Sequence, residues 1–429
     1  MDFDIPAEVA ELEAQCRRLA LEQLRPGARE AELAGEVPSS TLQAVRDLGV
    51  SQIGVSEEIG GSGDHLALVV AIEALAYGDA GALVASDTVG PAAGAIDWLL
   101  RAGASPVAAG GPDPDRMAAL VDLARSCAGG ESRAAFAVAG GGASEIGVAD
   151  RQHDPPGGER GVVRVPFVPG HGPPGMLLVV GETTLACYEA SSLAAEPAPA
   201  GALAACGGVS VEVTKLAGAF GASGASGASG AFGASGGRPG GDSVGGPGSG
   251  PGGVPVGGIV VRLERAAAFE VRARARLWVG AALVGLTAAS LDHAVAYGRD
   301  RVVFGTPVLG HQANAFDLAA ATTSLMAAQL ALRSAAWRFG RGGDRDGHAP
   351  HAAAWLSTIA YLEARRAALA GTDLGLQLLG GHGYMVDEPV EKWWREARVL
   401  SLLWGGEDSA LDDLSSWVLN APDPLVVAS

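Results

Sequence analysis

Apolar residues recur at three- and four-residue steps at both ends of the chain, and as short runs bounded by glycine and proline in between. Near the start, Val9, Leu12, Cys16 and Leu19 fall on one helical face. Pro38 opens a second helix that runs to Leu48, with Gly49 where a C-terminal cap belongs. A turn at 57–63 follows, and Leu66, Val69, Ile72, Leu75 and Ala76 predict another amphipathic helix. Everything to about residue 130 therefore reads as helical. Between 131 and 260 the period changes: Met176 to Val180 and Val209 to Val213 predict strands. A glycine, alanine, serine and proline tract at 218–258 cannot bury enough apolar surface to offset its ordering entropy, and predicts a flexible insertion.

Helical periodicity returns at Phe269. Val279, Ala282, Leu286, Leu291, Ala294 and Tyr297 outline one long helix. Two more are expected from Phe316 to Trp337 and from Ala353 to Leu379, joined by a glycine- and charge-rich turn at 340–347, and a last one from Asp408 to Val418. Long antiparallel helices with short connections predict a four-helix bundle. The expected domains are 1–130, helical; 131–260, β with the glycine-rich insertion; and 261–429, a helical bundle.

The chain has 429 residues, of which 48% are hydrophobic and 18% charged, which excludes a wholly disordered protein. Much of that hydrophobicity is alanine, which favours helices over a large aromatic core. A net charge of −18 argues against nucleic acid or an anionic membrane surface as partner. The acidic start is no secretory signal, and no run of about 18 apolar residues is evident, so the expectation is a cytoplasmic protein. Cys16, Cys127, Cys187 and Cys206 lack a CxxC pair and read as free buried thiols, and no metal-ligand spacing is present.

Two segments carry candidate chemistry. From Tyr297 to Val308 a helix ends in Arg301, whose planar fork suits a phosphate, followed by Phe304, Gly305 and, further on, Gln312. For Arg301 alone, a solvated helix end is an equally physical reading. The second segment holds Gln377, Gly380, Gly381, His382 and Tyr384, then Arg395 to Arg398. Paired glycines let backbone groups touch a planar ligand. His382 has no serine, cysteine or metal partner nearby and reads as a turn residue.

Together these segments resemble the acyl-CoA dehydrogenase family, most strongly over 279–417. The resemblance implies that family's fold: mainly α with a central β domain, made of an N-terminal helical domain, a middle β-barrel and a C-terminal four-helix bundle. It implies FAD, with Arg301 on the pyrophosphate, Phe304 beside the cofactor, and Gln312, Gln377, Gly380 and Gly381 near the adenosine half, largely across a subunit interface. It also implies a homo- or hetero-oligomer (a dimer or dimer of dimers), an acyl-CoA or acyl-carrier thioester as substrate, and an electron-transfer flavoprotein as acceptor. The sequence departs from the family at the catalytic base. Trp404 stands at the glutamate position, Gly406 replaces a threonine that helps hold the cofactor, and Ala275 stands where some branches carry the base instead. Glu407 is a weak substitute and no catalytic residue is secure. The loop that touches the flavin ring aligns with 138–145 and keeps only Ser144 and Glu145. The first expectation is thus a subunit of a heteromeric dehydrogenase whose partner supplies the base. The alternatives are a self-sufficient dehydrogenase or flavin-dependent oxygenase of the same fold, and a cofactor-free structural subunit.

Overall fold

The computed structural model of the protein describes residues 5–62, 64–103, 114–138, 164–170, 174–182, 184–198, 201–213, 259–340 and 350–420. The glycine-rich tract, the segment 139–145 of the ring loop and the turn at 341–347 lie outside them.

The N-terminal region is helical throughout. Helices α1 (Ala7–Leu19) and α2 (Arg25–Ala34) are joined through a wide π-turn, and α2 ends on the left-handed Gly35. Helix α3 (Ser39–Asp47) starts after Pro38 and stops before Gly49 at φ 67°, as the sequence predicts. Asp64 caps α4 (His65–Ala76) by accepting from the Leu66 and Ala67 amides. The α4 helix is not amphipathic: every residue but Leu66 is buried, because helices cover it on all sides. Short helices α5 (Ala80–Ser86), α6 (Ala93–Gly103) and α7 (Pro114–Ala128) complete the region.

The middle region is two facing sheets. One holds β1 (Ala134–Val138), β3 (Met176–Val180), β4 (Thr184–Glu189) and β7 (Ile259–Arg262) in that order, and the other β2 (Arg164–Pro169), β6 (Gly208–Val213) and β5 (Leu193–Pro197). The β1 and β3 strands pair in parallel, from Ala134 opposite Met176 to Val138 opposite Val180. Both are buried along their whole length. Alternate residues explain this: Phe136, Val138, Leu178 and Val180 meet helices, whereas Ala135, Ala137, Leu177 and Val179 meet the second sheet.

Helix α8 (Arg265–Asp300) is the spine of the C-terminal bundle. A two-strand hairpin, β8 (Val302–Val303) and β9 (Thr306–Pro307), turns the chain into α9 (Gln312–Gly340). Then follow α10 (Pro350–Leu378), α11 (Pro389–Leu400) and α12 (Gly406–Asn420). The fourth helix packed on α8 and α10 is α11, a stretch that the sequence reading treated only as part of a motif. Small residues let α8 approach its neighbours closely. A Cβ on Gly285 would lie 2.1 Å from the Glu73 carbonyl oxygen, so the α4–α8 crossing tolerates no side chain there.

By length and composition two helices could cross a bilayer, Arg265–Asp300 and Gln312–Phe339, contrary to the expectation from sequence. Alanine-rich stretches with few charges pass that test readily. The apolar window of α8 is 72% buried, as a core helix requires, whereas that of α9 is only 11% buried. Phe316, Met326, Leu330 and Trp337 face outward from α9.

Buried charges fix the remaining contacts. Arg272 and Arg276 on α8 share the Asp413 carboxylate, at 2.5 and 2.6 Å, and so hold α12 against the spine. Arg272 also donates to the Gly181 carbonyl between β3 and β4. At the other side of the bundle Lys392 sits between Asp79 and Glu396, all three buried. With one cation for two carboxylates, burial raises the Glu396 pKa from the ordinary 4.5 to about 7, against the opposing pull of Lys392. Its Oε2 has no hydrogen-bond partner among the described residues. The folded chain therefore keeps a proton on Glu396 that the unfolded chain loses above about 4.5. That contribution to stability is complete below about 4.5 and is lost as pH rises through about 7. Glu396→Gln should flatten the fall in stability across this window and raise stability at pH 8 by about 1–3 kcal/mol. Chemical denaturation at several pH values measures it, and an unchanged slope would remove Glu396 as the cause.

Candidate functional site

Two groups of residues need describing: an outer surface at one end of the bundle and an inner chamber between the bundle and β1.

The outer surface begins where α8 ends. Arg301 is exposed, and its backbone N–H donates to Tyr297 while its carbonyl accepts from Val308. Its guanidinium makes no ion pair among the described residues. Phe304 and Gly305 form the two-residue tip of the β8–β9 hairpin, at φ 55° and 80°. Such a tip favours asparagine and glycine, so Phe304 holds a conformation that costs about 1 kcal/mol, with its ring 96% exposed. Gln312 is the exposed first residue of α9. Because α8 and α10 run in the same direction, the second segment reaches the same end of the bundle. Gln377 is exposed there, and Cβ atoms added to Gly380 or Gly381 would meet nothing within 4 Å. The Tyr297 hydroxyl hydrogen-bonds His382 Nδ1 at 2.8 Å and ties the two segments together. His382 thus has a partner that sequence spacing did not reveal, 85 residues away.

The inner chamber is arranged around Asp87. Its carboxylate accepts from Ser51 Oγ at 3.0 Å, the Gly90 amide at 2.8 Å, the Val89 amide at 3.2 Å and Trp278 Nε1 at 2.8 Å. Trp278 is 1% exposed and meets Trp404 edge to face, with ring centroids 5.6 Å apart at 81°. Trp404 takes a left-handed conformation at φ 54°, and Gly405 and Gly406 follow with φ of 94° and 55°. Gly405 cannot carry a side chain, because a Cβ there would lie 2.8 Å from Ser409 and 3.1 Å from Val138. Ala275, on the cluster against which Trp404 packs, is buried and apolar. What remains is a cavity of 30 Å³ whose lining includes Arg133, Phe136, Pro169, Trp278 and Trp404.

The other candidates are placed elsewhere. Glu407 pairs with Arg365 on α10 at 2.8 Å and is not among the residues that line the cavity. All four cysteines are free and buried, and burial pushes the Cys127 thiol up to about 11, which leaves it protonated and inert. Among the described residues no group of histidines, cysteines and carboxylates could hold a metal. Trp278 and Asp87 were not singled out from sequence. A lone tryptophan in an alanine-rich helix was the available signal.

A model of the acyl-CoA dehydrogenase N-terminal domain matches residues 6–104, and one of the acyl-CoA dehydrogenase C-terminal domain matches 267–419. Together they span more than half of the chain. The chain belongs to the acyl-CoA dehydrogenase family.

An acyl-CoA dehydrogenase from Bacillus subtilis is 33% identical over 144 residues, 34% of this chain and 36% of that protein. A 3-(aryl)acrylate reductase from Clostridium sporogenes is 34% identical over 130 residues, 30% of this chain and 32% of its own. The aligned region thus spans about a third of these relatives. Among solved structures, butyryl-CoA dehydrogenase from Megasphaera elsdenii superposes with a TM-score of 0.69 at 18% identity, covering 98% of this chain and 100% of that one. A nitrososynthase from Micromonospora carbonacea gives 0.65 at 17% identity, covering 97% of this chain and 98% of that one. At these identities the likeness establishes the family fold. The family matches leave 105–266 between them, the part that contains both sheets of the middle region.

Two outcomes follow from this geometry. Trp278→Phe keeps the packing but leaves Asp87 one donor short, which should cost about 1.5–3 kcal/mol in thermal or chemical denaturation. A neutral result would show that the Trp278–Asp87 bond is not structural. Glu407→Gln breaks only a half-exposed pair and should cost at most about 1 kcal/mol, with flavin content and any acyl-CoA oxidation unchanged. Full loss of that oxidation would place Glu407 at the base position after all.

Proposed function

We propose that this chain is a non-catalytic or half-site subunit of a heteromeric acyl-CoA dehydrogenase. In this reading Arg301, Phe304, Gln312, Gln377, Gly380 and Gly381 face FAD held by a partner chain of the same fold, and the partner supplies the base. The observation that carries it is the contrast between the open outer surface and Trp404. An exposed guanidinium with no ion pair among the described residues, an exposed ring held at a strained hairpin tip and two glycines under open space suit a pyrophosphate and a planar heterocycle. The family reaction requires a carboxylate to remove the acyl α-proton while a flavin accepts the β-hydride. An indole accepts no proton, Ala275 has no titratable group, and Glu407 is engaged by Arg365.

The outward face of α9 fits the same reading. Exposed Phe316, Met326, Leu330 and Trp337 form an apolar surface of the kind that a second subunit covers. The substrate class would be an acyl-CoA or acyl-carrier thioester, with an electron-transfer flavoprotein as acceptor.

Native mass spectrometry of the complex from its source tests this. The expected species pairs this chain with a second acyl-CoA dehydrogenase chain that has the base glutamate, together with FAD. A flavin-free complex, or only homo-oligomers, would refute the reading. Within such a complex Arg301→Ala removes charge-assisted bonds and should weaken FAD retention about 10–100-fold. Unchanged flavin content would remove Arg301 from the site.

A further inference from the structure

We infer that α9 is a self-pairing face: two copies of this chain meet there, α9 against α9, antiparallel about a twofold axis level with residue 325. The inference does not depend on the flavin reading.

The exposed side of α9 is nearly uncharged. From Ala319 to Trp337 every exposed residue is alanine, serine, threonine, methionine, leucine or tryptophan. The long polar side chains of this stretch, Gln329 and Arg333, turn to the other side and meet Glu73 of α4. Helix α10, equally long and in the same bundle, exposes Glu363, Arg366 and Asp373 instead. A helix face that stays in water ordinarily carries such charges. Their depletion on α9 suits a surface that is buried against another chain.

The exposed positions also follow the spacing of a helix–helix seam. Ala313, Ala320, Ala327 and Ser334 recur every seven residues, and Phe316, Thr323, Leu330 and Trp337 recur every seven residues between them. All are exposed, and together they step by three and four residues over more than three heptads. One column is small throughout, and the other is larger at every position.

Orientation follows from that inequality. In a parallel pair each column faces itself, so large residues crowd one layer and alanines leave the next underfilled. In an antiparallel pair the two columns face each other. With the axis at 325, Trp337 meets Ala313 of the second copy, Phe316 meets Ser334, Leu330 meets Ala320 and Thr323 meets Ala327. Every layer then holds one larger and one smaller side chain, and the helix axes can approach to about 8 Å. The same direction sets the Asp317 end of one helix beside the Arg338 end of the other and opposes the two helix dipoles. A parallel pair would set like charges together. The seam is its own complement, as an interface with twofold symmetry requires.

Sedimentation velocity and cysteine cross-linking of the purified full-length chain test the pairing. The native cysteines are all buried, so a short bis-maleimide reports on an added surface thiol. Met326→Cys lies beside the axis and should cross-link to its copy. Ser334→Cys should not, because the two thiols are about 27 Å apart along the seam at about 1.5 Å of rise per residue. Ala320→Leu should overfill its layer and weaken the dimer at least about tenfold, and Ala320→Leu/Leu330→Ala, which exchanges sizes within that layer, should restore it. Both positions are exposed in the single chain, so its folding is unaffected. A chain that stays monomeric overturns the inference, and one that also floats with phosphatidylcholine vesicles replaces the second copy with a bilayer. Cross-linking of both cysteine variants would mean a parallel pair, and of neither, another surface; each overturns it. So does a double variant that dimerises no better than Ala320→Leu. The two readings fail separately. A colourless dimer cross-linked through Met326→Cys leaves the self-pairing standing, whereas a yellow complex with one copy of this chain removes it.

Discussion

The Asp87 carboxylate holds the centre of this protein together. It is buried and is stabilised by hydrogen bonds from Ser51, the amides of Val89 and Gly90, and Trp278. A buried anion without its full set of donors is costly, so each of these partners is fixed in position. The turn at 88–90 is thereby held against β1, where the Ala134 amide donates to the Thr88 carbonyl. Trp278 is fixed on the spine of the bundle, and Trp404 is packed against it. One carboxylate thus aligns the N-terminal helices, the first sheet and the C-terminal bundle, and decides the shape of the chamber between them.

The two halves of the site have had different fates for a physical reason. The outer surface needs only exposed groups with the right chemistry, a guanidinium, a ring and backbone without Cβ atoms, and the end of an antiparallel bundle presents all of them. It survives because little packing depends on it. The inner chamber must instead remain empty within a close-packed core, which is unfavourable unless a ligand fills it. Large aromatic side chains fill it here.

Elsewhere the bundle is secured by small residues and by shared charges. Glycine at 285 lets α8 lie directly on α4, and Asp413 bridges two buried arginines to seat the last helix. The cluster of Lys392, Asp79 and Glu396 joins α11 to the segment before α5, and its unequal charge is what links stability to pH.

Much was legible in the residues alone. Pro38 and Gly49 marked both ends of a helix, glycine and proline bounded the strands at 176–180 and 208–213, and the 3.6-residue period gave the long helices of the bundle. The motifs from Tyr297 to Gln312 and from Gln377 to Arg398 gave the family. These are local signals, since turns, periods and motifs are written in consecutive residues. What only the tertiary structure decided was set by partners far apart in the chain. The period made α4 look amphipathic, but burial on all sides depends on what surrounds it. Glu407 looked available until Arg365 was found beside it. Trp278 and Asp87 lie 191 residues apart and carry no shared pattern, yet they are bonded at the centre of the protein. Sequence determined that this chain has the family's fold and puts Trp404 where the motif carries a glutamate; packing determined that Trp404 lies against Trp278, which is bonded to Asp87.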